Sequence, residues 1–167
     1  MAELTPQERL QPSLLDRLAD DEPGRGEESR DRRTITAARL RECVIRDLSW
    51  LLNCTHAEAD RAFDDHPHAA CSVLNFGIPD LAGLALSGID PAQMERRLRA
   101  AILAFEPRLL PDTLQVRVRA DGRRMDRKSL VFDIESEMWA QPLPLNLYLK
   151  TEVDLETGRL EVGERYG

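Results

Sequence analysis

The hydrophobic period of this 167-residue chain changes from about 3.6 residues to about 2 after Pro111. Before Pro111 the apolar side chains fall on helical stripes. After it, Leu114, Val116, Val118 and Ala120 alternate with Gln115, Arg117 and Arg119. Leu130, Phe132 and Ile134 alternate in the same way beyond a charged loop containing Asp121-Gly122. Leu145, Leu147 and Leu149 form a third set that continues through Val153, and Glu156-Thr-Gly158 reads as a turn into a last short strand, Leu160–Val162. Helices first and strands afterwards predict an α+β fold, with N-terminal helices packed on one face of a mainly antiparallel C-terminal sheet.

The helical half carries clear punctuation. Leu40, Val44, Leu48, Leu51 and Leu52 share one stripe of a helix over Thr36–Leu52. A shorter helix is expected from Thr55, capped by it, with Glu58 completing a capping box and Pro67 limiting the far end. Gly77 and Pro79, set among apolar neighbours in Ser72-Val-Leu-Asn-Phe-Gly-Ile-Pro-Asp80, suit a loop pinned to the domain by its own side chains. Another helix opens with Asp90 as N-cap, Pro91 at the first position and Gln93 in a capping box. Met94, Leu98, Ala101, Ile102 and Phe105 line its inner face, and Pro107 ends it near Phe105.

Composition shifts near residue 34. Residues 1–33 read as a flexible N-terminal arm with a short docking motif, and residues 34–167 as one compact domain. In the arm, Leu14, Leu15 and Leu18 suit a helical turn or two with Ser13 as N-cap, docking either on the chain's own domain or on a partner. The net charge of -7 argues against a nucleic-acid backbone binder. The basic loop Arg123–Lys128 then reads as a solvated hairpin rather than a phosphate-binding patch. No apolar run is long enough to span a membrane, and Met1–Leu10 lacks an apolar signal segment. Cys43, Cys54 and Cys71 are an odd set without metal-type spacing, read as reduced thiols of a cytoplasmic protein.

Catalytic constellations are weak. His56, Asp60 and Asp64 are four apart, with His66 and His68 beyond, but these acids equally suit a solvated helix face. Cys43 reads as a buried small hydrophobe, and Ser72 and Ser87 lack a nucleophile elbow. Glu135 and Glu137 could serve a glycosidase only at a separation that sequence does not give. No phosphate-binding glycine motif is present, so no cofactor and no metal are expected. Glu106-Pro107-Arg108 remains: Pro107 restricts the backbone, and the two opposite charges can pair within the loop or across an interface, or form an ordinary exposed salt bridge.

Four segments in order, Leu10-Gln-Pro-Ser-Leu-Leu-Asp-Arg-Leu18, Arg46-Asp-Leu-Ser-Trp-Leu-Leu-Asn53, Ser72–Asp80 and Phe105-Glu-Pro-Arg-Leu-Leu110, resemble the TssE family. These are baseplate components of bacterial type VI secretion systems, related to phage T4-like baseplate wedge proteins once labelled acidic lysozymes. The stretch Asp133–Ala140 fits the family's strand region more loosely. The resemblance implies a cytoplasmic structural protein, not an enzyme, that links the baseplate wedge to the contractile sheath and helps initiate sheath polymerisation. It implies the wedge proteins TssF, TssG and TssK and the sheath proteins TssB and TssC as partners, with no nucleic acid and no membrane insertion. Glu106, Pro107 and Arg108 would anchor the protein to the wedge. An exposed sheet edge, either Leu145–Val153 (with Leu145, Leu147 and Leu149) or Leu160–Val162, would accept a sheath strand. Leu14, Leu15 and Leu18 are a third contact. The alternatives are a lysozyme-like cell-wall hydrolase and an adaptor outside secretion on the same fold.

Overall fold

A computed structural model describes residues 13, 16, 18, 36–57, 63, 66–70, 72–84, 88–120, 129–140 and 144–164. Helix α1 spans Ala37–Leu52. Thr36 caps it by accepting from the Arg39 amide, which satisfies a donor that has no partner within the helix. Its buried stripe is Leu40, Cys43, Val44, Leu48, Leu51 and Leu52, the expected face with Cys43 added.

No helix starts at Thr55. Cys54 and His56 instead exchange backbone hydrogen bonds with Ile78, and Thr55 forms an isolated parallel bridge to it. That bridge draws the Ser72–Asp80 loop onto the end of α1 and outweighs the local capping signal; Glu58 lies outside the described residues. Pro67 opens a four-residue helix, α2 (Pro67–Ala70), because its fixed φ suits a first helical position, and residues 58–62, 64 and 65 before it lie outside the described residues. A 3-10 turn over Val73–Asn75 follows, capped by Ser72. Phe76 and Ile78 pin this loop to the core, whereas Val73 and Leu74 are exposed.

Helix α3 spans Pro91–Phe105, with Asp90 accepting from the Ala92 and Gln93 amides. Met94, Leu98 and Ile102 are buried, with Ala101 and Phe105 packed beside them. The sheet is an antiparallel meander, β1 (Gln115–Ala120), β2 (Ser129–Met138), β3 (Leu145–Asp154) and β4 (Leu160–Glu164), in the order β1-β2-β3-β4. The chain is therefore α+β, with α3 against β1 and α1 against β4. The core lies between the two long helices and the inner face that carries Val116, Phe132, Ile134, Leu147, Leu149 and Val153.

The meander corrects one expectation about edges. β3 lies between β2 and β4, so Leu145–Val153 is an interior strand. Leu147 and Leu149 point into the core at 0% and 2% exposure, and Leu145 is half-buried. The edges are β1 and β4.

Candidate protein-binding site

Helix α3 ends because Pro107 disfavours helical geometry at Glu106, which becomes its C-cap. The loop beyond is tied to the end of β2. Trp139 donates its amide to the Arg108 carbonyl at 2.7 Å, Leu110 donates to the Glu137 carbonyl at 2.9 Å, and Leu109 bridges Met138. Leu109 is buried, which fixes the loop from beneath.

These ties place Arg108 over two carboxylates. Its Nε donates to Glu106 Oε1 at 2.7 Å, and its Nη2 donates both to Glu106 Oε2 and to Asp47 Oδ2 on α1. The Arg108 amide also donates to Glu106 Oε1. Glu106 is 2% exposed, so its charge is stable only because it is paired and hydrogen-bonded. Burial lowers the pKa of Arg108, but the bonds and charges of Glu106 and Asp47 outweigh it and raise it, so the guanidinium stays charged.

The network continues into the arm. Arg46 holds Asp47 Oδ1 through Nε and Nη2, and its Nη1 reaches Asp16 at 2.7 Å. Ser13 and Asp16 make reciprocal bonds, the Asp16 amide donating to Ser13 Oγ and the hydroxyl to Asp16 Oδ2, so Ser13 acts as the expected cap. Burial pushes the Asp16 carboxyl up, yet Ser13 and Arg46 together hold it below the usual range. The arm thus touches its own domain at Asp16. Leu18 is 74% exposed, while Leu14 and Leu15 lie outside the described residues. Burial, reinforced by Asp16, pushes the Cys43 thiol up, which makes it a poor nucleophile.

A pocket of about 460 Å³ opens beside this network, walled by Leu48, Trp50, Leu51, Phe76, Phe105 and Pro107. Phe76 and Phe105 meet edge-to-face, with centroids 5.2 Å apart. Trp50 is half exposed, and Arg46 lies over its ring at 5.0 Å. The pocket thus gathers side chains from three segments singled out in the sequence, and Ser13 from a fourth.

A model of the family described as baseplate wedge protein gp25 matches residues 38–143. The chain belongs to the baseplate wedge protein gp25 family. No curated protein and no solved structure matches it. The match begins at the first turn of α1 and spans the Glu106–Arg108 loop, so the pocket and most of its charge network belong to the gp25 family unit. This is a family of structural baseplate proteins, which gives the chain a structural role in a phage-tail-like baseplate.

The other sequence candidates do not assemble. Among the described residues no group of three or more His, Cys, Asp or Glu side chains could hold a metal ion; Asp60 and Asp64 lie outside them. Glu135 and Glu137 sit half-buried along β2. No helix among the described residues is long and apolar enough to cross a membrane. Sequence reasoning missed Arg46, Asp47 and Trp50 as members of the site, although they stand together in Arg46–Asn53.

Proposed function

We propose that this gp25-family chain is a baseplate subunit of a contractile type VI secretion apparatus, acting from the cytoplasmic side without catalysing a reaction. The Glu106–Arg108 loop anchors it to the wedge proteins TssF, TssG and TssK. The β4 edge receives a strand from the sheath proteins TssB and TssC and so helps sheath polymerisation to begin. Leu18, exposed beside the pinned Asp16, is a further contact.

The observation that carries this reading is the Glu106–Arg108–Asp47 network set against an apolar pocket with exposed Trp50 and Pro107. Trp and Arg beside a largely apolar pocket are the usual anchors of protein interfaces, and the network holds Arg108 in place by three side-chain bonds before a partner arrives. A lysozyme-like general acid sits in apolar surroundings without a cationic partner. The two buried carboxylates among the described residues, Glu106 and Asp133, each face a guanidinium, from Arg108 and Arg119.

Sheath assembly followed in cells with fluorescent TssB tests the reading. Glu106→Ala or Arg108→Ala should abolish sheaths, with cells compared at equal levels of folded protein because loss of either partner also weakens the fold. Normal baseplates and sheaths in both variants would contradict the anchoring role.

A further inference from the structure

The two edges of the sheet are not equally open. At β1, Glu95 of α3 accepts from the Val118 amide at 2.9 Å, and Arg99 donates to the Leu114 and Pro111 carbonyls. Helix α3 thus occupies donors and acceptors that a strand would need there. At Leu160 of β4 the guard among the described residues is the side chain of Asn53, just past α1. Asn53 Oδ1 accepts from the Leu160 amide and its Nδ2 donates to the Leu160 carbonyl, both at 3.0 Å. The carboxamide therefore does at Leu160 what one residue of a neighbouring strand would do.

Register then shows what is left. Asp154 donates to the Arg159 carbonyl, and Leu160, opposite Val153, directs its backbone groups away from β3 to Asn53. Orientation alternates along an antiparallel strand, so Val162 and Glu164 also direct their backbone groups outward. Farther along the same side, past the described residues of β4, Arg41 Nη2 donates to the Asn146 carbonyl of β3 at 2.9 Å. The edge is thus occupied at Leu160 and at Asn146, with Val162 and Glu164 between. An open groove of about 700 Å³ runs beside Val162, walled by Ser49, Trp50 and Asn53 of the α1 end and by Leu160 and Glu161 of β4.

We infer that Asn53 is a register stop for strand addition: a partner strand pairs with β4 from Val162 toward Glu164 and cannot extend over Leu160. The inference rests on the sheath-strand reading above and adds to it which backbone groups the strand uses. It also makes Asn53 a specificity-determining residue, because a longer or shifted pairing meets the carboxamide.

Amide hydrogen exchange on the full chain, alone and with the TssB–TssC complex, tests this. In the free chain the Leu160 amide is slow and Val162 fast. TssB–TssC slows Val162 by about tenfold or more and leaves Leu160 unchanged. Asn53→Ala frees the Leu160 amide, and TssB–TssC then slows it together with Val162. Asn53→Asp keeps the acceptor for that amide and keeps it slow throughout. The Asp154 amide, bonded to Arg159, reports that the hairpin stays folded in each variant.

Binding that slows Glu164 but leaves Val162 fast, or that slows Val162 but leaves Leu160 fast in Asn53→Ala, overturns the stop while sparing the sheath reading. If TssB–TssC changes no edge amide, the sheath reading fails and the stop is judged on the chain alone. Asn53→Ala should then self-associate through the lengthened edge more strongly than the unmodified chain in sedimentation runs. Equal association would overturn it.

Discussion

Arg108 reaches Asp47 across 61 residues of sequence while its remaining bonds close on Glu106, two residues away. One guanidinium thereby locks the loop after α3 to the middle of α1. The fork matters: Nε and Nη2 bond two oxygens of Glu106, and Nη2 also takes Asp47, an arrangement that a lysine ammonium cannot copy.

Arg108→Ala should therefore strongly destabilise the fold. Glu106 would be left buried and unpaired, and breaking such a pair costs about 3–5 kcal/mol. Arg108→Lys should recover only part of the loss. Urea unfolding of the three proteins checks this; equal midpoints would mean that Glu106 is solvated in solution.

Thr151 presents the reverse case. It lies on the inner face of β3 at 0% exposure, and its hydroxyl has no hydrogen-bond partner among the described residues. Thr151→Val removes an unsatisfied buried polar group and should stabilise the protein by about 1 kcal/mol. A lower melting temperature would show that the hydroxyl is satisfied.

Gly77 permits the close approach that holds the loop on the α1 end. Its φ is +130°, and an added Cβ would lie 2.4 Å from the Cys54 carbonyl oxygen. Gly77→Ala should cost at least about 2 kcal/mol through strain and loss of the Cys54–Ile78 bonding. It should also increase exchange at the Ile78 amide. Unchanged exchange there would contradict the tight approach.

Much of the fold was legible because its signals are local. The Asp90-Pro91 start of α3, the Thr36 start of α1 and the alternation of Val116–Val118 and Leu147–Val153 each follow from neighbours a few residues apart. What was not legible depends on distant partners. Thr55 has a capping sequence, but Ile78 claims its neighbours' backbone groups. β3 alternates as an edge strand does, and only β4 makes it interior. The loop triplet Glu106–Arg108 stood out, but no local pattern joins it to Asp47. The adjacency of Arg46 and Asp47 within a family-like segment was the one available hint.

The arm should respond to acid. The Asp16 carboxyl is held below its ordinary value when docked, so docking is complete above the usual Asp range, about pH 4. It is lost as pH falls further, through the docked value. Arg46 links Asp16 to the Trp50 ring, so Trp50 emission in a Trp139→Phe background should report the change. Asp16→Asn should remove that transition. An identical acid transition with and without the Asp16 carboxyl would assign it elsewhere.

Co-purification of the tagged full chain with co-expressed TssF, TssG and TssK tests the central claim most directly. Trp50→Ala is the informative variant, because Trp50 is half exposed on the pocket and its loss should leave the fold intact. The unmodified chain should retain the wedge proteins, and Trp50→Ala, folded by its melting curve, should lose most of them. Failure of the unmodified chain to retain any wedge protein, or undiminished retention by Trp50→Ala, would contradict the account.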